Sequence, residues 1–428
     1  MANLRVGTGI TFDGATGNFN TLGIGTVRGA FNATGAINAT SGLNVGTAAT
    51  IHANGNVSCG IITTTNIVNG TQLSHRNLVI NGAMRVAQRA TTYTGADNYN
   101  SVDRFKVIHS GLNEDVTSAQ VDVSGSETDS PLLKGITKAW RITNGNQTDG
   151  AGTGDLLSIQ YRIEAQDLRN SGWIYTSTSS FVTLSFYVKS SVAQSFGGFL
   201  RSHDGTQMTF PFETGALTAN TWKKITITLP GNASLQFDND TNCGMEINVS
   251  QYWGTNYTAS GKTLDAWSAY ANDSRLKDFP ASTWYTTNDA TFELTGVQFE
   301  LGSVATPFEH RSFGDELARC QRYYYRHATG NTAGISENAT QYNGSSVFLS
   351  IPLPTEMRAA PTLEITNSSN HFLKYANNGP VLFDTLGRDG ITTPRLLCVN
   401  GSASGTSGHA CMIRTNSSDA KIAAVAEI

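Results

Sequence analysis

Apolar and polar residues alternate with a period of two along much of this chain. The segments Phe181–Val188, Lys224–Leu229 and Thr291–Phe299 each set an apolar side chain at every second position, as a strand with one buried and one wet face requires. Runs rich in Gly, Asn and Asp, such as Asp238–Gly244, separate them as turns. Residues 76–312 therefore read as a two-sheet sandwich of jelly-roll type. The pattern resumes over residues 327–428 in Ser346–Pro352, Thr362–Thr366 and a closing strand Ala420–Ile428, giving a second, smaller sandwich at a distal tip. Between them, residues 313–326 change period. Ser312 and Asp315 resemble a capping box, and Phe313, Leu317, Cys320 and Tyr324 share one helical face, which predicts a connecting helix from Gly314 to Tyr325.

Residues 1–75 differ in kind. Their charged side chains are Arg5, Asp13 and Arg28 alone, and they hold no Trp or Tyr. Short units recur loosely: Gly29–Thr34, Gly35–Thr40, Gly42–Gly46 and Gly55–Gly60. Each offers one or two apolar residues and then a turn, so a single copy buries almost nothing and must stack on neighbours or on other chains. Three intertwined copies would wall a thin shared core along a threefold axis, which makes this an intertwined β-repeat region and the chain a homotrimer. A flexible Gly-rich tether is the alternative, and the regular placement of Phe, Ile, Leu and Val argues against it.

Composition narrows the class further. The 428 residues include 43 Gly and only 14% charged residues, which suits short strands and tight turns, whereas long amphipathic helices need far more Glu, Lys and Arg. Hydrophobic residues at 39% suffice for true cores and argue against disorder. A net charge of −4 leaves no cationic surplus for phosphate, so no nucleic-acid partner is expected. No apolar run is long enough to span a membrane, and the opening Met1–Val6 lacks a secretory leader, so synthesis in a bacterial cytoplasm without membrane insertion is the expectation. Cys59, Cys243, Cys320, Cys398 and Cys411 are scattered, without zinc spacing, and read as reduced thiols.

Chemistry concentrates in one stretch. Tyr252, Trp253, Tyr257, Trp267, Tyr270, Trp284 and Tyr285 are interleaved with Asn256, Asp265, Asn272 and Asp273 where periodicity is poor. Ring faces stack on the C–H surfaces of sugars while amides and carboxylates bond hydroxyls, so Tyr252, Trp253, Tyr257, Trp267, Trp284 and Tyr285 are the candidate glycan site. An inter-subunit contact, or simple burial of these rings in the sandwich core, is the competing reading. Loops Asn367–Phe372 and Gly401–Gly408 are a second candidate surface. The acidic turns Asp238–Asp240 and Asp149–Asp155 read as solvated turns rather than calcium sites, so no metal and no cofactor is expected. No nucleophile elbow, zinc-protease motif or Walker loop is present, and the chain reads as a non-enzyme, although two carboxylates for a polysaccharide depolymerase lie beyond what sequence excludes.

Five segments carry a resemblance: Asn77–Gln88, Asn100–Phe105, Phe186–Ser191, Leu294–Gly302 and, most specifically, Phe308–Tyr325. Together they resemble tail-fibre and related virion proteins of tailed bacteriophages, notably phages of marine cyanobacteria and other marine bacteria, over roughly residues 76–361. The resemblance implies a trimeric fibre on the virion, with a sandwich similar to carbohydrate-binding modules, meeting host-surface glycans and joined to other virion proteins through its N-terminal region. A purely architectural collar, baseplate or capsid fibre is the alternative. Sedimentation of the purified chain is expected to give three copies per particle, and removal of residues 1–75 a folded monomer; a well-folded monomer from the full chain would overturn the shared-core reading.

Overall fold

Val182, Leu184, Phe186 and Val188 all enter one core from the strand Phe181–Ser190, as their period of two demands. In a computed structural model of the chain, residues 75–428 are described apart from 96, 97, 280, 281 and 378, together with the backbone of five short strands before residue 75. Phe181–Ser190 lies second in a six-stranded antiparallel sheet ordered Lys223–Pro230, Phe181–Ser190, Thr291–Leu301, Lys138–Thr143, Thr117–Asp122 and Thr92–Thr94. Facing it is a second six-stranded sheet: Ser268–Ala269, Met208–Glu213, Gly197–Ser202, Cys243–Trp253, Leu156–Glu164 and Phe105–Ser110. The chain crosses repeatedly from one sheet to the other. Both contribute to a single core in which Trp140, Phe186, Phe212, Phe292 and Phe299 are fully buried or nearly so, each worth about 1.5–3 kcal/mol of transfer free energy or more.

The smaller sandwich places a seven-stranded sheet over a three-stranded one made of Tyr324–Thr329, Lys421–Val425 and Thr362–Ile365. Val347, Ile351, Leu397, Ile413 and Ile422 fill its core. Before residue 69 lies a separate unit. There Ile10–Asp13 pairs with Asn18–Thr21, and Leu43–Val45, Ala49–Ile51 and Val57–Cys59 form a meander. The repeats at 29–40 lie outside the described residues, as does the side chain of Cys59. Cys320, Cys398 and Cys411 are buried and Cys243 half-buried, all four as free thiols. No helix among the described residues is long and apolar enough to cross a membrane.

The connecting helix is Phe313–Gln321, capped by Ser312, whose Oγ accepts the Asp315 amide at 3.1 Å. It stops before Tyr325 because Tyr324 pairs with Val425 in a sheet and its ring is needed inside. Phe313, expected on the buried face, is 49% exposed and lies beneath the Arg85 guanidinium. The closing strand is likewise shorter, Lys421–Val425. Its last residues leave the sheet for the larger sandwich, where Glu427 pairs with Arg104 at 2.6 Å and Arg89 at 3.2 Å. The Ile428 carbonyl accepts from Tyr99 at 3.1 Å and from Arg162 at 3.2 Å.

These contacts belong to one join. Glu164, at the end of its strand, is buried and accepts from Arg322 Nε at 2.9 Å and Nη2 at 2.8 Å, from the Tyr323 hydroxyl at 2.5 Å and from Gln166 at 2.6 Å. Arg104, also buried, stacks 3.4 Å from the Tyr323 ring centre while paired with Glu427. Replacing Glu164 with Ala strands the half-buried Arg322 guanidinium and the buried Tyr323 hydroxyl, and is expected to cost about 1–3 kcal/mol, read as a lowered thermal midpoint. Beside them the Asp103 carboxyl is pushed up to about 6, burial outweighing the hydrogen bonds from Gln88 and the charge of Arg89. A raised folded pKa means this group favours folding most when protonated. Stability relative to Asp103→Asn should therefore fall as pH rises from about 4 through 6 and level off above, measured as the difference between their melting temperatures.

Candidate functional site

On the outer side of the second sheet, cross-strand register lines polar side chains into rungs. One rung runs Lys106, Gln160, Asn248, Phe199, Pro211; the next runs Arg162, Glu246, Arg201, Thr209. Glu246 sits among basic side chains, with His203 Nε2 at 3.1 Å and Arg162 and Arg201 each at 3.7 Å. Burial alone would raise its carboxyl, but the His203 hydrogen bond and charge, with the charges of Arg201 and Arg162, outweigh burial and hold it below the ordinary carboxylate range.

Gln160 Nε2 donates to Glu246 Oε2 at 3.3 Å and to Asn248 Oδ1 at 3.2 Å. That geometry sets both amides, since turning Gln160 would face two acceptors together and turning Asn248 two donors. Among the described residues, Gln160 Oε1 and Asn248 Nδ2 are consequently buried without partners, and so are Arg162 Nε, Thr209 Oγ1, Trp253 Nε1 and Arg275 Nε. Each such atom costs about 1–3 kcal/mol relative to a satisfied one.

Residues 254–279 cross this face. A bridge between Thr258 and Leu276 and the short edge strand Ser268–Ala269, beside Met208–Thr209, fasten the segment to the sheet. Its Leu276 joins Phe199 and Trp253 in a small apolar cluster outside the main core. The Arg275 guanidinium lies 4.7 Å from the Trp253 ring centre, 5.4 Å from Tyr257 and 5.6 Å from Tyr270, and Arg201 lies 3.7 Å from Tyr270. Rings and cations thus alternate along this face. Tyr257 and Tyr270 keep partly exposed rings, and Asn256 and Asn272 are exposed beside them.

The structure redistributes the six aromatic candidates. Trp284 and Tyr285 are fully buried, and Tyr252, 8% exposed, stacks on Tyr285 at 4.6 Å in the main core. Trp267 closes the core against Phe210 at 5.2 Å, its indole donating to the Pro230 carbonyl at 2.7 Å. Trp253 faces outward yet is covered by Phe199, Tyr257 and Arg275. Of the six, Trp253 and Tyr257 alone belong to the outer face. The cause is a register shift: Ser158 pairs with Ser250 but Leu157 with Tyr252, so Gln251 is extra and the side-chain order inverts after it. Arg162, Gln160, Glu246, Asn248, Arg201 and Arg275 were not among the candidates. Their alternating polarity is visible in sequence; their alignment needs the register.

The acidic turns are internally satisfied. Asp240 accepts from the Asn242 amide at 3.0 Å, and Asp155 from the Gly152 amide at 2.7 Å. Among the described residues no group of three or more His, Cys, Asp or Glu is placed to hold a metal ion.

No family model matches the chain, and no curated protein matches it. Among solved structures it is similar to a family 11 carbohydrate-binding module from Clostridium thermocellum in complex with a β-1,3-1,4-mixed-linked tetrasaccharide, at 12% identity over 50% of this chain and 98% of that one, TM-score 0.22. It is also similar to the N-terminal cellulose-binding domain of a Cellulomonas fimi β-1,4-glucanase (12% identity, 47% and 90% covered, TM-score 0.24). A third is the CBM22-1 xylan-binding domain of Paenibacillus barcinonensis Xyn10C (12%, 46% and 87%, TM-score 0.23). Likeness at this level does not establish a shared ligand.

Burial separates structural from surface rings. Trp284→Ala is expected to cost about 3–5 kcal/mol, whereas Tyr270→Ala should stay near 1 kcal/mol or below; urea unfolding of the two variants measures the contrast.

Proposed function

We propose that this chain is a non-catalytic glycan-binding protein, part of a trimeric external fibre on a tailed-phage virion, with the outer face of its second sheet as the recognition surface. The single observation that carries the glycan reading is the set of unpaired polar atoms gathered there. Gln160 Oε1 needs a donor; Asn248 Nδ2, Trp253 Nε1, Arg162 Nε and Arg275 Nε need acceptors. A sugar hydroxyl is both at once. A polyhydroxyl chain therefore suits this mixed set better than an anion, which only accepts, or an apolar peptide, which would leave every atom unpaired. Tyr257 and Tyr270 supply the stacking surface, and rotation of Arg275 off Trp253 would open the row beneath.

The fibre assignment rests on the segments Asn77–Gln88 and Phe308–Tyr325 and on the thin apolar content of residues 1–75. Three copies would turn individually weak sites into firm adhesion. The purified oligomer should bind a subset of glycans on an array. Tyr257→Ala with Tyr270→Ala should weaken that binding about tenfold or more, at 0.5–1.5 kcal/mol per ring, without changing oligomeric state. Undiminished binding in a folded double variant would sink the site; a folded oligomer that binds no glycan would leave the architectural role instead.

A further inference from the structure

The smaller sandwich contains a buried cation that its fold does not neutralise. Lys374, in the strand Phe372–Ala376, is 1% exposed, yet among the described residues its ammonium pairs with no carboxylate. Its partners are neutral: Gln341 Oε1 at 2.6 Å and the Ser404 carbonyl. Two neutral acceptors do not offset the several kcal/mol that burying an ammonium costs, and burial accordingly lowers the Lys374 pKa.

The surroundings are built around that ammonium. Gln341 is locked by donating to the carbonyls of Ala403 at 2.7 Å, Asn343 at 2.8 Å and Ser346 at 3.1 Å, which turns its own oxygen toward Lys374. The Gly401–Gly408 loop folds over the pair, with the Gly408 amide on the Gln341 carbonyl at 2.8 Å and the Gly405 amide on that of Gly344 at 3.1 Å. A Cβ on Gly405 would come within 2.5 Å of Lys374 Nζ and 2.7 Å of Gln341 Oε1, so a side chain there would fill the space beside the ammonium. Lys374, Gln341, Gly405 and His409 line a cavity of about 190 Å³. That is room for several waters at roughly 30 Å³ each. Among the described residues His409 Nδ1 is buried without a partner.

We propose that this cavity is an oxyanion site, taking a carboxylate, sulfate or phosphate group onto Lys374, with His409 donating when its tautomer places a proton on Nδ1. It is distinct from the outer face of the larger sandwich, where the unpaired atoms call for hydroxyls. An acidic polysaccharide has both chemistries, so the fibre would read neutral hydroxyl pattern at one place and acidic substituent at the other.

Titration calorimetry of the full chain with sodium sulfate, phosphate and glucuronate, run separately, identifies which oxyanion binds. At least one should bind once per chain and raise the melting temperature. Lys374→Met should reduce that affinity about tenfold or more, since a charge-assisted bond is removed, while melting at or above the parent in the absence of anion. Gly405→Val, which fills the cavity and keeps the lysine, should abolish binding as well. Absence of heat and thermal shift with all three anions overturns the proposal. So does undiminished binding by a folded Lys374→Met or Gly405→Val chain, or a Lys374→Met chain that melts far below the parent, since the lysine would then be structural. Tyr257→Ala with Tyr270→Ala should leave anion binding untouched, so failure of either site is read independently.

Discussion

After residue 75 the two sandwiches are joined at one buried carboxylate, that of Glu164. Glu164 is fully buried, and its two oxygens take four donors, three of them from Arg322 and Tyr323 at the end of the connecting helix. A carboxylate so enclosed tolerates no partial solution, because losing one donor leaves charge uncompensated in low dielectric. The two sandwiches are thereby fixed to each other, with Arg104 and Glu427 closing the join from the other side. Glu164 also ends the strand that carries Ser158, Gln160 and Arg162 at alternate positions. Holding that strand end in place fixes which polar side chains line up on the outer face, and the Ile428 carbonyl on Arg162 extends the same join to the edge of the groove.

The segments that carry the phage-fibre resemblance meet here. Asn77 and Arg76 donate their amides to Glu309, Asn81 donates to Glu316, Gln88 donates to the Tyr324 carbonyl, and Arg104 stacks on Tyr323. Three of those segments, Asn77–Gln88, Asn100–Phe105 and Phe308–Tyr325, thus help to mount one sandwich on the other. Residues of the outer groove, Gln160, Glu246, Arg201 and Arg275, fall outside them.

How much of this could be read from sequence followed from which contacts were local. Phe181–Ser190, Lys223–Pro230 and Thr291–Leu301 were legible because a half-buried strand repeats every two residues, and the Ser312 cap because its bond spans three. The helix end was not, since Tyr324 answers to Val425 about a hundred residues away. Nor was the reach of Glu427 into the larger sandwich. The aromatic stretch mixes rings that enter the main core, Tyr252, Trp267, Trp284 and Tyr285, with Trp253 and Tyr257 on the outer face. A single extra residue, Gln251, sends Tyr252 inward and Trp253 outward, and nothing local to the sequence marks it.

The buried polar groups of this protein include fully satisfied ones and, among the described residues, ones left short of partners, at the join as with Arg104 Nε and Tyr324 Oη and also on the outer face. At several architectural positions satisfaction is complete. Asn77 spends Nδ2 on the Val297 carbonyl and Oδ1 on the amides of Val79 and Phe299, and Asn144 spends Nδ2 on three carbonyls between 284 and 287. Asn81 and Glu164 are equally saturated. The same chain leaves Gln160, Asn248 and Thr209 short of partners on one sheet face and Lys374 short of an anion in one cavity. At about 1–3 kcal/mol per unpaired group, the deficit is large beside the 5–15 kcal/mol that holds a domain together, and a ligand that supplies the missing partners recovers it on binding.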